Sequence, residues 1–344
     1  MGNQRYLAIC IFFVLLCASA YSNPADTTRF SRGDDFEIKL VTIGPGDDLT
    51  SWWGHTAVIV EDKRMDASLF YNYGLFSFEE ENFFLNFAMG RLIFWVGAWQ
   101  TRSALAFYVS LNREIYFQVL NLSAEKKLEL ATLLAENIQP QNREYLYDHY
   151  RDNCSTRVRD LIDRIVDGQF KAKMQNPGRM TFRDHTRRHT ARSFPVDWVL
   201  MFLMNNSIDE PIRVWDDMFL PEELAGNLSG FTYIDAEGKT QKIVEIAYTY
   251  FPAKNREAVP AQAAAHWPTG LLIGLLTGFA GAVLAVGYKL KKRYFTGLFS
   301  AYQAIIALAL GIPGLVLFFM GFFTDHRVTF HNENLLLANP LTLL

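Results

Sequence analysis

The hydrophobic pattern changes character three times along the 344-residue chain. Arg5 precedes an apolar run of about eleven residues that gives way to Ala18-Ser19-Ala20, the layout of an export signal, and the run is shorter than the roughly twenty residues of a spanning helix. Residues 36–43, 56–60, 69–76, 91–99 and 113–122 then carry the alternating or short apolar pattern of strands, and Gly44-Pro45-Gly46-Asp47-Asp48 is a loop between the first two. One helix is predicted over residues 79–89. Another runs to residue 137, capped by Ser123, with Glu125 in its first turn and Lys126 and Lys127 on its exposed face. Farther on, Val158, Leu161, Ile162, Ile165 and Val166 repeat at helical spacing behind a cap at Asp152 or Asn153. Strands and helices mixed in this way predict an α+β domain over residues 21–251, long enough for one sizeable core.

The last change is toward lipid. Residues 269–288 and 298–323 are apolar and uncharged, and the second stretch contains a predicted kink at Gly311-Ile312-Pro313-Gly314. Between them, Lys289-Leu290-Lys291-Lys292-Arg293 is a basic turn that belongs on the cytoplasmic side. That orientation places the α+β domain outside, which the export signal independently requires. Trp267 at one end and Tyr288, Tyr294 and Phe295 at the other suit the two interfacial belts. The predicted organisation is a signal peptide or uncleaved anchor (1–20), an extracytoplasmic domain (21–251), a linker (252–268), a transmembrane hairpin (269–323) and an extracytoplasmic tail (324–344).

Charge and cysteine content narrow the chemistry. A net charge of −3 gives no reason to propose nucleic acid as a partner. Cys10 and Cys17 fall in the predicted signal, and Leu16 is too bulky for lipid attachment at Cys17, so the exported part keeps only Cys154. Exported proteins ordinarily use cysteines in pairs, which leaves a lone one as either a reactive thiol or an inert core residue.

The position of Cys154 favours reactivity. It opens a helix, where unpaired N–H groups and the helix dipole lower a thiol's pKa, and it lies one turn before Val158 on the buried stripe. Upstream, Ser51-Trp52-Trp53-Gly54-His55-Thr56 puts His55 at the head of an apolar strand, so Cys154 and His55 form a candidate nucleophile and base. His149 is a rival base that has to fold back over the helix start. The Cys154 backbone N–H, aided by the Asn153 side chain, is the oxyanion candidate. Asn72, on the adjoining strand pattern, is expected to orient His55, with Asp66 as second choice. Arg179, Arg183, Arg187, Arg188 and Arg192 crowd one segment with His185 and His189. They read as a solvated basic loop, or as a phospholipid headgroup site centred on Arg187 and Arg188. His185 and His189 are four apart, but no glutamate follows the first and no cysteine or carboxylate cluster joins them, so neither metal nor cofactor is predicted. His326 and His331 lie in the tail, where they either assist catalysis or sit among headgroups.

A helix carrying an N-terminal cysteine against an antiparallel sheet that presents a histidine is papain-like in geometry and role. The order of the two halves, with the histidine strand before the Asn-Cys helix, resembles the circularly permuted NlpC-type relatives, including the lecithin retinol acyltransferase group. More closely, Trp53-Gly54-His55-Thr56, Tyr71-Asn72-Tyr73-Gly74-Leu75-Phe76, Asn112-Arg113 followed by Gln118-Val119-Leu120-Asn121-Leu122, and Asn153-Cys154-Ser155-Thr156-Arg157 resemble the Lnb family of bacterial lipoprotein N-acyltransferases. The likeness covers roughly residues 36 to 170. Asp325-His326 and the stretch ending in Asn339-Pro340-Leu341 resemble the start of the extracytoplasmic segment of that family's membrane domain. The resemblance implies a multi-pass protein of the bacterial inner membrane with a periplasmic catalytic domain, and further spans after the tail. It also implies a reaction: Cys154 takes an acyl chain from a phospholipid as a thioester and passes it to an amine, the N-terminus of a lipoprotein. Two other classes stand beside this one. They are a cell-envelope cysteine peptidase or amidase using the same dyad, and a non-catalytic anchored binding domain in which Cys154 is core. An apolar groove from Cys154 to the membrane face favours acyl transfer, whereas a polar open cleft favours peptide hydrolysis.

Overall fold

The alternating segments pair into one seven-stranded antiparallel sheet in the order β6-β4-β3-β2-β1-β5-β9. The computed structural model describes residues 31–77, 82–263 and 265–344, so the predicted signal and part of the predicted 79–89 helix lie outside the described residues. The strands are β1 (Phe36–Ile43), β2 (His55–Asp62), β3 (Ala67–Leu75), β4 (Ile93–Gln100), β5 (Ile115–Leu120), β6 (Glu144–Leu146) and β9 (Val244–Phe251). β7 (Thr232–Ile234) and β8 (Thr240–Lys242) pair separately. β1 and β2 are in register from Phe36 opposite Asp62 to Ile43 opposite His55, which leaves His55 at the very end of the sheet.

Alternation along these strands gives the sheet two buried faces. Ile38, Leu40, Val58, Tyr71 and Leu120 face α3 (Ala124–Asn137), α4 (Cys154–Ile165) and α9 (Pro221–Gly230). Val41, Ala57, Ile59, Phe70 and Phe117 face α2 (Thr101–Ser110) through Ala104, Leu105 and Tyr108. The α4 stripe is buried at Val158, Ile162, Ile165 and Val166, and the helix packs across β2 and β3. Beyond it come α5 (Gln169–Lys173), α6 (Phe182–Thr190), α7 (Phe194–Leu203) and α8 (Val214–Asp217). Tyr150, Phe182, Phe219 and Leu220 cluster under the start of α4.

Three expectations need adjustment. The helix predicted over 79–89 is described only as α1 (Phe83–Ala88). α2 lies outside the predicted elements, although Gln100-Thr101-Arg102-Ser103 separates its apolar residues from the apolar run of β4. β9 also escaped the pattern: Ile246, Tyr248 and Tyr250 are exposed apolar residues on an edge strand.

Two apolar helices close the chain, α10 (Trp267–Lys289) and α11 (Arg293–Phe323), each long enough to cross a bilayer. α11 runs through Pro313 as one continuous helix. Its glycines serve another end. A Cβ on Gly314 would stand 2.0 Å from the Ala338 carbonyl oxygen, and one on Gly311 would stand 2.5 Å from the Leu343 side chain. The tail therefore packs directly on the helix backbone, as short 3-10 turns. Gly314→Leu should push the tail off, exposing residues 332–344 to protease, while Gly278→Leu, at a position with open space around it, should not. Equal tail protection in both variants would remove the contact.

Candidate active site

The site is built outward from the start of α4. Asn153 is the N-cap: its Oδ1 accepts from the N–H groups of Ser155 (2.8 Å) and Thr156 (2.9 Å), and the Thr156 hydroxyl accepts from the Asn153 N–H at 2.8 Å. Its Nδ2 donates to the carbonyls of His149 (2.7 Å) and Phe219 (2.9 Å). Both amide hydrogens are thus committed. The expected oxyanion role of Asn153 is corrected accordingly: this side chain holds the helix end and has no hydrogen left for a reaction intermediate. Asp152, the other cap candidate, pairs with Arg157 at 2.6 Å.

Cys154 follows as the first helical residue, half-buried with a free thiol. The Thr56 backbone N–H donates to its sulfur. On the sheet side, β3 carries a bulge between Asn72 and Leu75, with Gly74 at φ +84°. A glycine is needed for that backbone conformation. Any side chain there would also come within 3.8 Å of Cys154 Cβ and 3.7 Å of the Tyr145 hydroxyl.

His55 stands next to Thr56, its ring half-buried and stacked on Tyr108 at 6.1 Å between centroids. Its Nε2 lies 2.6 Å from Asn72 Oδ1, while Asn72 Nδ2 turns toward the Tyr108 hydroxyl at 3.5 Å. An oxygen facing Nε2 requires the hydrogen on that nitrogen, which leaves Nδ1 as the basic one. Asp66, the second choice for orienting His55, is exposed in the β2–β3 turn at the opposite end of the strand, so it is corrected out of the site.

Burial sets the protonation states. It lowers the His55 pKa to about 4, helped by the positive charge of Arg113 and opposed by the Asn72 hydrogen bond. It pushes the Cys154 thiol up, against the pull of the Thr56 N–H, Arg113 and the helix N–H groups. Burial thus favours a neutral thiol and a neutral imidazole, on two residues that line the same apolar cavity.

His149, the rival base, also lies by Cys154, in an aromatic cage of Trp53, Tyr150 and Phe219 with ring centroids at 4.8, 4.9 and 5.7 Å. Its Nδ1 is 3.2 Å from the Tyr147 hydroxyl, and its buried Nε2 has no hydrogen-bond partner among the described residues. Burial lowers its pKa to about 4 as well.

The arginine-rich segment is neither a solvated loop nor a headgroup site. It forms α6, whose His185, Thr186, Arg188 and His189 are buried. Arg188 is spent inside the protein, donating to the Pro260 carbonyl at 2.6 Å and to Glu222 at 2.9 Å. Arg187 approaches the buried Asp197 at 3.8 Å. His185 Nε2 pairs with Asp217 at 2.9 Å, and His189 Nδ1 donates to the Trp52 carbonyl at 3.0 Å. The expectation for Arg187 and Arg188 fails because Asp197, Glu222 and the Pro260 carbonyl engage these cations within the domain. In the tail, His326 Nε2 donates to the Phe87 carbonyl at 3.0 Å.

Two cavities meet at His55. One, of about 440 Å³, runs from Cys154 between Trp53, Tyr73, Phe83, Phe87, Phe94 and Phe219 and is overwhelmingly apolar. The other, of about 590 Å³, is a more polar cleft that includes Asp48, Ser51, Asn72 and Arg113. His55, Gly54, Gly74 and Phe76 belong to both walls.

Two polar groups here went unnoticed in the residue pattern. Tyr145 is buried beneath the Arg157 guanidinium (3.7 Å to the ring centre), and its hydroxyl has no hydrogen-bond partner among the described residues. Burial pushes its pKa far up, and a thiolate at Cys154 would push it further, so it stays a donor. Arg113 appeared only inside a family-like motif. The alternation in Glu144-Tyr145-Leu146-Tyr147 was the one local signal for Tyr145.

Two family models match the chain: the Lnb N-terminal periplasmic domain over residues 24–191 and the Lnb transmembrane domain over residues 266–344. No curated protein and no solved structure matches it. The two matches mark a membrane protein with an extracytoplasmic domain.

The histidines supply a test of the burial. Unfolded, His55 and His149 bind protons near 6.5; folded, they do so near about 4. The unfolded chain therefore binds more protons between those values, so stability is full above about pH 6.5 and declines as pH falls toward 4. Melting temperature should drop over that window, and His149→Phe should flatten the drop. An unchanged slope in that variant would show that His149 is not held neutral by its cage.

Proposed function

Because the chain belongs to the Lnb family, we propose that it is a membrane-anchored cysteine acyltransferase, which moves an acyl chain from a phospholipid through a Cys154 thioester to the amino terminus of a lipoprotein. The observation that carries this reading is the apolar cavity that begins at the thiol. A peptide substrate calls for polar groups along its backbone, whereas a wall of phenylalanine, tyrosine and tryptophan suits a hydrocarbon chain. The same order of elements, with the histidine strand before the cysteine helix, supports a permuted papain-like reading of the domain.

The proposed reaction starts from the neutral pair. His55 Nδ1 takes the thiol proton as Sγ attacks the ester carbonyl carbon, and the electron pair of the C=O bond moves to oxygen. The Cys154 backbone N–H and the Tyr145 hydroxyl stabilise that oxyanion, the second replacing the expected Asn153 side chain. The ester C–O bond then breaks, His55 returns the proton to the leaving glycerol oxygen, and the lysophospholipid departs. An amine attacks the thioester carbonyl, the C–S bond breaks, and the amine's proton passes through His55 to the sulfur. Asn72 keeps the hydrogen on Nε2, so Nδ1 accepts and donates in every step.

Placement at the bilayer supports the same reading. Trp198 on α7 lies within 3.7 Å of the Cβ position of Gly270 on α10. At the other span, Asp325, just past α11, pairs with Arg91 at 2.6 Å and donates its N–H to the Met89 carbonyl at 2.8 Å, immediately after α1. Both α1 and α7 therefore sit where the hairpin leaves the membrane on the side of the domain. Phe84, Leu85 and Phe87 of α1 and Trp198 and Val199 of α7 are exposed, and Phe84, Phe87 and Leu200 reach the mouth of the acyl cavity. With the basic turn at residues 289–293 in the cytoplasm, this face meets the outer leaflet of the inner membrane.

The decisive assay mixes purified protein, phospholipid vesicles and a diacylglyceryl-cysteine peptide, with mass spectrometry of protein and peptide. Cys154→Ser and His55→Gln should abolish N-acylation. Tyr145→Phe should lower kcat by about 10²- to 10³-fold with little change in KM. Alkylation of Cys154 by iodoacetamide should be slow at pH 7 and keep rising past pH 9, since the resting thiol is protonated. Retained acylation in Cys154→Ser ends the proposal, and cleavage of a peptidoglycan peptide without acyl transfer replaces it by the peptidase reading. An alkylation rate already at its plateau at pH 7 would replace the neutral pair by an ion pair.

A separate measurement addresses membrane seating. Phe84→Asp combined with Phe87→Asp should cut acyl-enzyme formation from vesicles at least tenfold while leaving acylation by a short, water-soluble thioester within about twofold. Equal losses on both donors would assign these residues to the fold and not to lipid entry.

A further inference from the structure

Arg113 is the residue of the polar cleft that nothing in the fold accounts for. It lies two residues before β5 with 6% of its surface exposed, and it lines the same cleft as His55. Its Nε donates to the Gly44 carbonyl at 2.8 Å, and its guanidinium lies over the Tyr108 ring at 5.3 Å. One terminal nitrogen is buried with no hydrogen-bond partner among the described residues. No carboxylate forms an ion pair with it among those residues; Asp48 acts on it only from a distance, and Arg256 opposes its charge. Asp47, the acid at the cleft rim, is taken by Arg256 at 2.8 Å. A buried cation without an anion is costly to keep, and such a group is expected to find its partner in a ligand.

We propose that Arg113 binds the phosphate of the phospholipid acyl donor, in the polar cleft that shares His55 with the acyl cavity. The inference rests on the acyltransferase reading above and names the donor's polar contact. A phospholipid has its ester between a hydrocarbon chain and a phosphodiester, and the site has the matching order: apolar cavity, thiol and imidazole, then a buried guanidinium. The planar fork suits bidentate capture of phosphate oxygens. The same charge favours thiolate and oxyanion during attack. Once the lysophospholipid leaves, the cleft is vacated for the acceptor amine, so both substrates approach His55 from the same side in turn.

Binding is measured on the full chain in detergent with Cys154→Ala, which cannot turn over. The ligands are dihexanoyl-phosphatidylglycerol, the matching diacylglycerol, the neutral methyl phosphotriester of the same lipid, and inorganic phosphate. The phosphodiester lipid should bind about 10- to 100-fold more tightly than the diacylglycerol. The triester should fall to the diacylglycerol level without any change to the protein. Arg113→Gln should erase the preference, and Arg113→Lys should restore part of it. If the triester binds like the phosphodiester, or if Arg113→Gln melts like the parent and keeps the preference, the assignment is wrong. Should inorganic phosphate alone bind as tightly as the lipid, the site is one for a free anion, which equally overturns it. The acyltransferase reading is judged apart, by thioester formation on Cys154 in the wild type: lipid preference without thioester sinks that reading alone, and thioester without lipid preference sinks only the Arg113 site.

Discussion

The side chain of Asn153 is the point from which the rest of the site is measured. Its two acceptor bonds close the first turn of α4, and its two donor bonds tie that turn to the 149 and 219 backbone. Ser155 adds a third tie, donating its hydroxyl to the Met218 carbonyl at 2.9 Å. Each of these groups is buried, so losing the cap exposes several unpaired donors and acceptors at about 1–3 kcal/mol apiece. The thiol is therefore held against the Thr56 N–H by a fully bonded neighbour, with no loop freedom of its own. An asparagine does this where an aspartate could not, because only the amide both accepts from the helix and donates to two carbonyls.

Water exclusion explains both the electrostatics and the substrate reading. The aromatic wall that suits a hydrocarbon chain is the same wall that raises the thiol and lowers His55. A thiolate–imidazolium pair at rest would put two charges beside that wall. In the proposed mechanism a neutral pair avoids the cost and separates charge only during attack, when the Cys154 N–H and the Tyr145 hydroxyl are the proposed donors to meet it. On that reading the site trades a fast resting nucleophile for compatibility with lipid.

Much of the central sheet was legible because its register leaves one apolar face per parity. Residues 36–43 coincide with β1, and α4 starts at Cys154 with the buried stripe its spacing implied. His55 and Cys154 drew attention for a related reason, each standing at an element's end as a polar residue in an apolar context, and the structure brings both to the wall of one apolar cavity. The rest was hidden by long-range pairing. Whether Arg188 meets lipid or Glu222 depends on a contact 34 positions away, and Asn153's donors on a carbonyl 66 positions away. The strand that carries Tyr145 was not predicted, and its hydroxyl comes near Gly74 and Cys154 only through the folded sheet. Arg113 entered only as the head of a predicted strand within the Asn112-Arg113 motif, and burial makes it notable.

The membrane hairpin does more than anchor the domain. Its two outer ends touch the domain at different helices, α7 through Trp198 and the α1 turn through Asp325 and His326. The tail adds further attachments, with Asn332 Nδ2 donating to the Phe202 and Leu203 carbonyls and Asn205 Nδ2 to the Phe330 carbonyl, so tilt as well as distance is restrained where a single tether would leave the domain free to swing. In the proposed seating the exposed phenylalanines of α1 meet the bilayer, and the Arg113 cleft shares His55 with the acyl cavity whose mouth they line. In the proposed reaction a phospholipid drawn toward the thiol would leave one apolar surface for another, because the wall that receives its chain is built from Trp53, Tyr73, Phe83, Phe87, Phe94 and Phe219.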